Sequence, residues 1–470
     1  MNRRMCLGEW VWRVAAGGAV VVMGVGLGSC EGTRVSRAIE SIVSPTASAV
    51  GPKVEIGEEP EIRVRTRAGV KSVSIGVPGD RGGRVYVRAG GGYRTLAMQA
   101  PVTLEVRVGA IRVTDRTGQT QTFGEKMAVE VLAADEPQST VVMVGGVSSS
   151  RALSGITVDG VLVPGFAIVR PREDSALGML DVALMMPLES YVSGVVSKEM
   201  SPTWPRQALE AQSVAARTYA MFERDRARRG SSVTTGWYDV EGTESDQSFG
   251  SIPKSSAVIE AVAATRGMVL SWRGGLIRAY YSSTCGGRAA SARDVWGTTP
   301  GYDFNSAEPL QGSPRESACQ GSKSYRWEAT RDAQDLSVRL RSWVLRRKAD
   351  APVISRVRAI EVSRRNSAGR PIEYRVTDSN GGEVVLAAEE LRAAMNYTAT
   401  GLAPIAIENQ VLSGDMDVEI WADVVRLHGR GSGHGVGMCQ HCAKGFAEQG
   451  VDWREMMRRF YPTAEVFKAY

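Results

Sequence analysis

Four cysteines are the residues of this sequence best suited to bind a metal or to cross-link the chain. Cys439 and Cys442 are separated by two residues, which is the spacing of half a zinc site, while Cys285 and Cys319 lie far upstream in glycine-containing turns. Four cysteines suffice for one all-cysteine metal site or for two disulfides, and the sequence leaves both open. A Cys-x-x-Cys pair is also a redox motif, but no βαβ pattern surrounds this one.

The cysteine pair follows a run in which glycine occupies every second position from Gly429 to Gly437. Glycine costs more backbone entropy than other residues, so such a run predicts close backbone approach or positive φ angles. His434 lies inside the run and His441 lies between the two cysteines, so two of the three histidines are concentrated here. We predict that this loop belongs to a functional site, although a simple glycine turn before a helix is the alternative.

Helices and strands must position these residues. A proline in its first turn begins a helix that runs from Pro205 to about Arg229. Its polar stripe (Arg206, Glu210, Ser213 and Arg217) either faces a groove or is solvated, with an i,i+4 pair between Arg206 and Glu210. Asp452, with Glu455 three residues later, predicts the start of a C-terminal helix.

Alternating apolar residues separated by turn signals predict a β-rich N-terminal module over residues 53–163. Residues 164–463 mix helical and strand patterns, and strands dominate a subdomain at about 330–425, with one short helix near Glu389 to Asn396. The predicted fold class is therefore α+β, with a β-rich N-terminal part and a mixed α/β core that carries a substrate groove.

The N-terminus predicts export. Basic residues precede an apolar stretch over 14–27, which is too short for a comfortable membrane span. The segment Leu27-Gly28-Ser29-Cys30 resembles the lipobox of bacterial lipoproteins, which implies a lipid anchor at Cys30; an ordinary signal peptide with a chance cysteine is the alternative. We expect a lipoprotein signal over residues 1–30, a flexible tether over 31–52, and a protein that faces the cell wall or periplasm. Export also permits disulfides.

The charge balance fits an envelope location. The formal net charge is +6 over 470 residues, and 43% of the residues are hydrophobic. A mild excess of cations suits an anionic envelope polymer, whereas export argues against nucleic acid as a partner.

Several segments together resemble one family. Residues 188–202 and 208–220, then 281–287, 294–297 and 433–440, are similar in sequence and order to motifs of the stage II sporulation protein D family. The resemblance extends over about 53–463, and it identifies 164–463 as the catalytic core.

The resemblance implies a lytic transglycosylase that cleaves MurNAc-GlcNAc linkages in peptidoglycan strands lacking stem peptides and leaves 1,6-anhydro-MurNAc ends. The family's catalytic acid falls on Glu199, although Ser201 intervenes before Pro202, and Glu210 stands where the family often has lysine. An N-acetylmuramoyl-L-alanine amidase is the implied protein partner. The implied substrate-binding residues are Arg217, Tyr281, Ser282, Ser283, His434 and Gln440.

The family comparison also bears on the cysteines, because some members carry cysteine at the positions of Cys285, Cys319 and Cys439. A structural zinc bound by these residues and Cys442 would hold the glycine loops beside the groove, and His434 or His441 could replace one ligand. Disulfides would serve a similar purpose. The cleavage chemistry itself requires no cofactor.

The chemistry agrees with a single carboxylic acid. In a lytic transglycosylase one acid protonates the glycosidic oxygen and then accepts the proton of the muramoyl 6-hydroxyl, unlike the two carboxylates of hydrolases. A partly apolar pocket formed by Val196, Met200 and Trp204 would raise the pKa of Glu199 for this purpose. The alternatives are an exposed carboxylate with no catalytic role and a glycan-binding amidase enhancer that does not cut, which the loss of lysine at Glu210 favours.

Overall fold

Two β-sheets that share one hydrophobic core form the N-terminal part of the chain. The computed structural model describes residues 49–54, 56–79, 83–89, 95–124, 127–134, 155–172, 178–230, 236–251, 253, 255–348 and 351–470. The strands of the two sheets are β1 (Glu61–Val70), β2 (Ser72–Gly76), β3 (Arg84–Ala89), β4 (Thr95–Gln99), β5 (Val102–Arg107), β6 (Ala110–Thr114), β7 (Thr120–Phe123), β8 (Val129–Ala133), β9 (Ile156–Val158), β10 (Val161–Val163), β11 (Phe166–Pro171), β12 (Leu180–Pro187) and β13 (Val240–Glu241).

The larger sheet has the order β13-β1-β12-β11-β8-β3-β4, and the smaller sheet has the order β10-β9-β2-β5-β6-β7. Strand β1 alternates as predicted: Ile62 and Val64 are fully buried, whereas Arg63 faces outward and pairs with Asp239 beside β13 at 2.6 Å. Strand β12 is apolar along most of its length because it is buried on both faces. Since β12 pairs with β1, the larger sheet crosses the domain boundary predicted at residue 163.

A long central helix organises the next part of the chain. Helix α1 (Leu188–Glu199) follows β12 directly, and α2 (Arg206–Arg228) begins after Pro205 as predicted. Small buried residues such as Ala211 and Ala215 let other elements approach α2 from several sides. The elements that follow are α3 (Ser256–Ala264), β14 (Met268–Trp272), β15 (Gly275–Leu276), β16 (Tyr281–Ser282), α4 (Ala292–Trp296), and two 3₁₀ turns at Asp303–Ser306 and Glu308–Leu310.

A second hydrophobic cluster forms where the β-rich subdomain is predicted. Its strands make two sheets, with orders β17-β22-β21 and β18-β19-β20. A helix that the sequence analysis did not predict begins at Ala333, and the carboxylate of the preceding Asp332 caps it by accepting hydrogen bonds from the N–H groups of Gln334 and Asp335. The elements are β17 (Trp327–Asp332), α5 (Ala333–Arg347), β18 (Val357–Arg365), β19 (Pro371–Asp378), β20 (Glu383–Ala387), α6 (Ala388–Met395), a 3₁₀ turn (Ile407–Asn409), β21 (Met416–Trp421) and β22 (Val424–Gly429).

The C-terminal segment returns to the central helix. It comprises β23 (Met438–Cys439), α7 (Gln440–Glu448), α8 (Trp453–Phe460) and β24 (Glu465–Lys468). Both helices pack against α2, and β24 extends the sheet of β14 and β15. Asp452 caps α8 as predicted, while the carboxylate of Glu455 pairs with Arg459 instead of completing a capping box.

The α+β prediction is confirmed. Among the helices of the described residues, none has the length and apolar character that a membrane crossing requires. The predicted signal over 1–30, the lipidation site Cys30 and all but the last residues of the predicted tether lie outside the described residues.

Candidate active site

A short parallel pairing joins two of the sequence motifs. Tyr281 of β16 lies opposite Met438 of β23, and Ser282 lies opposite Cys439. The hydroxyl of Ser282 also accepts a hydrogen bond from the N–H of Gly435 at 3.2 Å. The segments that carry Cys285 and Cys439 therefore meet in space, although more than 150 residues separate them in sequence.

The glycine run has the backbone geometry that the sequence predicts. Four of the five glycines of the run adopt positive φ angles, between 69° at Gly437 and 88° at Gly433, with 78° at Gly431. A Cβ atom at Gly437 would lie 2.0 Å from the carbonyl oxygen of Tyr280, and one at Gly431 would lie 2.4 Å from the carbonyl oxygen of Thr284. Only glycine fits these two positions, so the run is required for the two motifs to approach.

Glu199, the predicted catalytic acid, is the last residue of α1 and is half-buried. Its Oε2 accepts a hydrogen bond from Nε2 of Gln440 at 3.2 Å, and its Oε1 accepts one from the N–H of Ser248 at 3.1 Å. No cation among the described residues forms an ion pair with it. Burial raises the pKa of Glu199 above its ordinary value, and the charge of Glu244 adds to the rise, while the two hydrogen bonds oppose it.

Gln440 is predicted to bind substrate, but in the structure its amide contacts the carboxyl group of Glu199. Its side chain is buried, and Nε2 lies 3.2 Å from Glu199 and 3.4 Å from Oε1 of Gln212. Nε2 of Gln212 is also buried and makes no hydrogen bond to the described residues. Gln440 therefore orients and polarises the carboxyl group of Glu199.

A loop that the sequence analysis missed completes the surroundings of Glu199. Gln247 is buried, and its amide accepts a hydrogen bond from the hydroxyl of Tyr191 and donates one to the hydroxyl of Tyr281 at 3.0 Å. The next residue, Ser248, supplies the backbone N–H that reaches Glu199. The loop carries no recognisable motif, so the sequence gives no signal for these roles.

The predicted substrate contact of Arg217 does not fit its position. Its guanidinium is fully buried and forms a bidentate ion pair with Glu189, with N···O distances of 2.9 and 2.7 Å. Its remaining donors reach backbone carbonyl oxygens, including that of Met268 at 3.1 Å. Arg217 is therefore a core residue that joins α2 to α1 and β14. On the same helix, Arg206 forms the predicted pair with Glu210 at 2.8 Å, but Glu210 and Ser213 are buried, so this side of the helix is not a solvated face.

The other predicted substrate-binding residues divide into two groups. Tyr281 and His434 line a cleft of about 500 Å³ beside the pairing of β16 and β23. Ser282 and Ser283 instead stabilise the contact between β16 and the glycine run with the start of α7. The hydroxyl of Ser282 accepts a hydrogen bond from the N–H of Gly435, and the carbonyl oxygen of Ser283 accepts one from the N–H of His441 at 3.0 Å. Burial lowers the pKa of His434 to about 4, so its imidazole is neutral at physiological pH.

The four cysteines converge on one buried point. Their Sγ atoms lie within 4.8 Å of one another, with 3.8 Å between Cys285 and Cys319 and 3.7 Å between Cys285 and Cys442. All four are free thiols. Four sulfurs at about 2.3 Å from a tetrahedral zinc are separated by about 3.8 Å, so the donor set and spacing fit zinc. Backbone N–H groups of Cys285 and Cys442 point at the sulfur of Cys439, which suits a thiolate.

Comparisons with known proteins agree with these motifs. Residues 178–272 match the SpoIID family model, described as stage II sporulation protein, and residues 306–437 match a domain of unknown function, DUF8618. An uncharacterized protein of Brachyspira hyodysenteriae is 28% identical over 66% of this chain and 74% of its own length. The amidase enhancer of Bacillus subtilis is 27% identical over 58% of this chain but only 39% of its own length.

A third relative carries the family's own name: the stage II sporulation protein D of Bacillus amyloliquefaciens is 25% identical over 60% of this chain and 75% of its own length. The matching segment 178–272 contains Glu199 and the whole of α1 and α2. The resemblance that the sequence motifs indicate is thereby confirmed. Residues 178–272 therefore form a domain of the stage II sporulation protein D family.

Proposed function

We propose that the protein is a peptidoglycan lytic transglycosylase that cleaves MurNAc-GlcNAc linkages in glycan strands lacking stem peptides. The observation that carries this proposal is the environment of Glu199. A half-buried carboxyl group with a raised pKa, two hydrogen-bond donors and no cationic partner among the described residues has the properties of a general acid. The match of residues 178–272 to the stage II sporulation protein D family supports a role at the cell wall.

The reaction needs only this one carboxyl group. Neutral Glu199 donates its proton to the glycosidic oxygen while the bond from that oxygen to the muramoyl anomeric carbon breaks. The resulting carboxylate then accepts the proton of the 6-hydroxyl of the same muramoyl residue, and that oxygen bonds to the anomeric carbon. Glu199 returns to its neutral form, and the product ends in 1,6-anhydro-MurNAc. No water and no second carboxylate take part, in contrast to glycoside hydrolysis.

The residues around Glu199 serve both halves of this cycle. Burial favours the neutral acid that starts the reaction, because the charged form is poorly solvated there. Once the proton has left, the amide of Gln440 and the N–H of Ser248 stabilise the carboxylate. A carboxyl group balanced in this way exchanges its proton more readily than one fixed by an ion pair.

For the cysteine cluster, we propose a structural zinc ion bound by Cys285, Cys319, Cys439 and Cys442. Bound zinc would supply no chemistry to the cleavage and would stabilise the fold. The ligands link the turn after β16, the segment around Cys319 and the start of α7. Because Gln440 directly follows Cys439, the cluster also fixes the residue that contacts Glu199.

We further propose that Cys30 is lipidated after export, so that the protein is anchored to a membrane and faces the cell wall or periplasm. The basic N-terminus, the apolar stretch over 14–27 and the lipobox-like segment support this location. An N-acetylmuramoyl-L-alanine amidase is the proposed protein partner, since such an enzyme produces strands without stem peptides and one relative is named amidase enhancer.

A second candidate is a glycan-binding amidase enhancer that does not cut. The amidase enhancer of Bacillus subtilis supports it, as does the engagement of Glu210 with Arg206 at a position where the family often has lysine. Both candidates require a site that binds sugar strands. They differ only in whether Glu199 transfers a proton.

Mass spectrometry of products from denuded glycan strands separates the two candidates. Strands are incubated with the purified wild type, with Glu199→Gln, and with Glu448→Gln as a control at an exposed carboxylate. We expect 1,6-anhydro-MurNAc ends from the wild type and the control, and a loss of about 10²–10⁴-fold in rate for Glu199→Gln with binding retained. Intact strands in every sample, with binding retained, would favour the enhancer instead.

A further inference from the structure

The cleft beside Tyr281 has walls from two parts of the chain. One wall comes from the segment around β16 and α4, including Tyr281 and Trp296. The other wall comes from α5 and α6, which contribute Trp343, Arg347 and Arg392 and lie within residues 306–437, the domain of unknown function. Its volume of about 500 Å³ lies within the range of small-molecule sites, about 300–1,000 Å³. The domain of unknown function therefore helps to form this cleft.

An exposed aromatic platform stands in the cleft. Trp296 is 39% exposed, and its ring stacks on the buried ring of Tyr280, with centroids 4.1 Å apart and planes 16° from parallel. Tyr280 is itself held in place, since its hydroxyl donates a hydrogen bond to Asn305 at 2.7 Å and accepts one from Arg278 at 2.8 Å. A supported, exposed indole offers a flat apolar face, which suits the C–H face of a sugar ring.

Most of the charged side chains that line the cleft have partners. Arg278 pairs with Glu223 at 2.6 Å, Arg392 pairs with Glu389 at 3.0 Å, and Glu390 pairs with Lys348 at 2.9 Å. Asp246 is also engaged: it accepts a hydrogen bond from the hydroxyl of Tyr219 at 2.9 Å.

Two charged side chains of the lining remain, Arg347 on α5 and Glu244 in the loop after β13. Both are exposed, and neither forms an ion pair or hydrogen bond with the described residues. An unpaired guanidinium suits a carboxylate, and an unpaired carboxylate suits the hydroxyl and amide donors of an amino sugar.

The cleft is adjacent to the catalytic acid. Tyr281 and Glu244 line it, and the charge of Glu244 is close enough to contribute to the raised pKa of Glu199. Tyr281 is also linked by Gln247 to the loop whose Ser248 N–H contacts Glu199. A strand whose scissile bond lies at Glu199 would therefore extend past Tyr281 and reach Trp296.

We propose that this cleft binds the glycan strand beside the scissile bond, with Trp296 stacking on a sugar ring and Arg347 pairing with a muramoyl lactyl carboxylate. This inference rests on the proposed function and adds to it a basis for selectivity. When the stem peptide is attached, the lactyl group is an uncharged amide; when an amidase has removed the peptide, it is a free carboxylate. The domain of unknown function thus recognises strands that lack stem peptides, through Arg347.

Binding measurements with two matched ligands test this inference. Denuded strands are compared with the same strands after conversion of the lactyl carboxylates to methylamides, and all proteins carry Glu199→Gln so that no strand is cut. Arg347→Ala is compared with Arg346→Ala, which removes the neighbouring exposed guanidinium outside the cleft. We expect Arg347→Ala to weaken binding of denuded strands roughly fivefold and to leave binding of the methylamide strands unchanged. Arg346→Ala should leave both affinities unchanged.

A second variant tests the platform. Trp296→Ala should weaken binding of both ligands, while Trp421→Ala, at an exposed tryptophan that does not line the cleft, should weaken neither. Equal affinities for Arg347→Ala and Arg346→Ala, or equal losses on both ligands, would overturn the role of Arg347. If the unmutated protein neither binds nor cleaves denuded strands, the proposed function itself fails, which is distinct from a failure confined to Arg347 and Trp296.

Discussion

The side-chain amide of Gln440 donates a hydrogen bond of 3.2 Å to the carboxylate of Glu199 across 241 positions of sequence. Glu199 ends α1, whereas Gln440 begins α7 immediately after a cysteine of the buried cluster. The orientation of the Glu199 carboxyl group therefore depends on two distant parts of the chain, which meet because both α1 and α7 pack against α2. Changes at the cysteine cluster are therefore expected to alter the environment of Glu199, the proposed catalytic acid, through this hydrogen bond.

Replacing the amide of Gln440 should shift the pH dependence of cleavage. The hydrogen bond from Gln440 stabilises the carboxylate and so lowers the pKa of Glu199. In Gln440→Met that pKa should rise further, and because the acid works in its protonated form, the upper limit of the pH–kcat/KM profile should move to higher pH. Lys444→Met on the same helix is the control. An unchanged profile in Gln440→Met, with activity retained, would exclude this role.

Arg217 should matter for stability and not for substrate affinity. Arg217→Met leaves Glu189 buried without its partner, and we expect a loss of about 3–5 kcal/mol in the free energy of unfolding, measured in guanidinium chloride. Adding Glu189→Gln should recover part of this loss, because the glutamine is uncharged. Arg458→Met, at an exposed ion pair, should cost less than about 0.5 kcal/mol. If Arg217→Met raised KM and left the free energy of unfolding unchanged, the predicted contact between Arg217 and substrate would be supported instead.

Arg217 also shows that the spacing of polar residues along a helix does not predict whether each side chain is exposed or buried. The spacing of Arg206, Glu210 and Arg217 predicts a polar side of α2, but the pattern does not distinguish a groove from a buried acid on another helix. In the structure the same helix presents Arg206 to solvent and buries Arg217 against Glu189. Propensity and periodicity are local, whereas the burial of a charge is decided by tertiary contacts.

The glycine run was more informative because its physical cause is local. Positive φ and close backbone approach are properties of the glycine positions themselves, and both are present at Gly431 and Gly437. By contrast, Gln247 and Ser248 lie in a loop without periodicity, and their roles depend on distant partners such as Tyr191 and Glu199. No single sequence carries a local signal for such contacts.

Metal content provides the test of the cysteine cluster. We expect one zinc per wild-type chain by elemental analysis and little in Cys442→Ser, because the loss of one thiolate of four opens the site. His441→Gln should keep its zinc, since the imidazole contacts the carbonyl oxygen of Ser283 and is not part of the cluster. Loss of zinc in His441→Gln would show that His441 is a ligand. Absence of zinc from the wild type would instead support disulfides between the cysteines.

The same zinc should stabilise the fold. A chelator should lower the Tm of the wild type by about 5 °C or more, because a ligand that binds only the native state adds to its stability. Cys442→Ser should already have the lower Tm and should respond little to the chelator. An equal response of both proteins would show that the chelator acts elsewhere.

A pair of glycine substitutions separates backbone strain from close approach. Gly437 and Gly450 both have positive φ angles, 69° and 82°, so alanine is strained at either position, at a cost of about 1 kcal/mol. At Gly450 a Cβ atom would meet nothing within 4 Å, whereas at Gly437 it would lie 2.0 Å from the carbonyl oxygen of Tyr280. Gly437→Ala must therefore also push β16 away from β23, while Gly450→Ala need not.

We expect Gly437→Ala to lower the free energy of unfolding by at least about 2 kcal/mol more than Gly450→Ala. The displacement should also separate Gln440 from Glu199, so cleavage of denuded strands should fall in Gly437→Ala even at temperatures where the variant remains folded. Chemical denaturation gives the first comparison, and product analysis by mass spectrometry gives the second. If the two variants lost equal stability and retained equal activity, the close approach of the glycine run to Tyr280 would have no functional consequence.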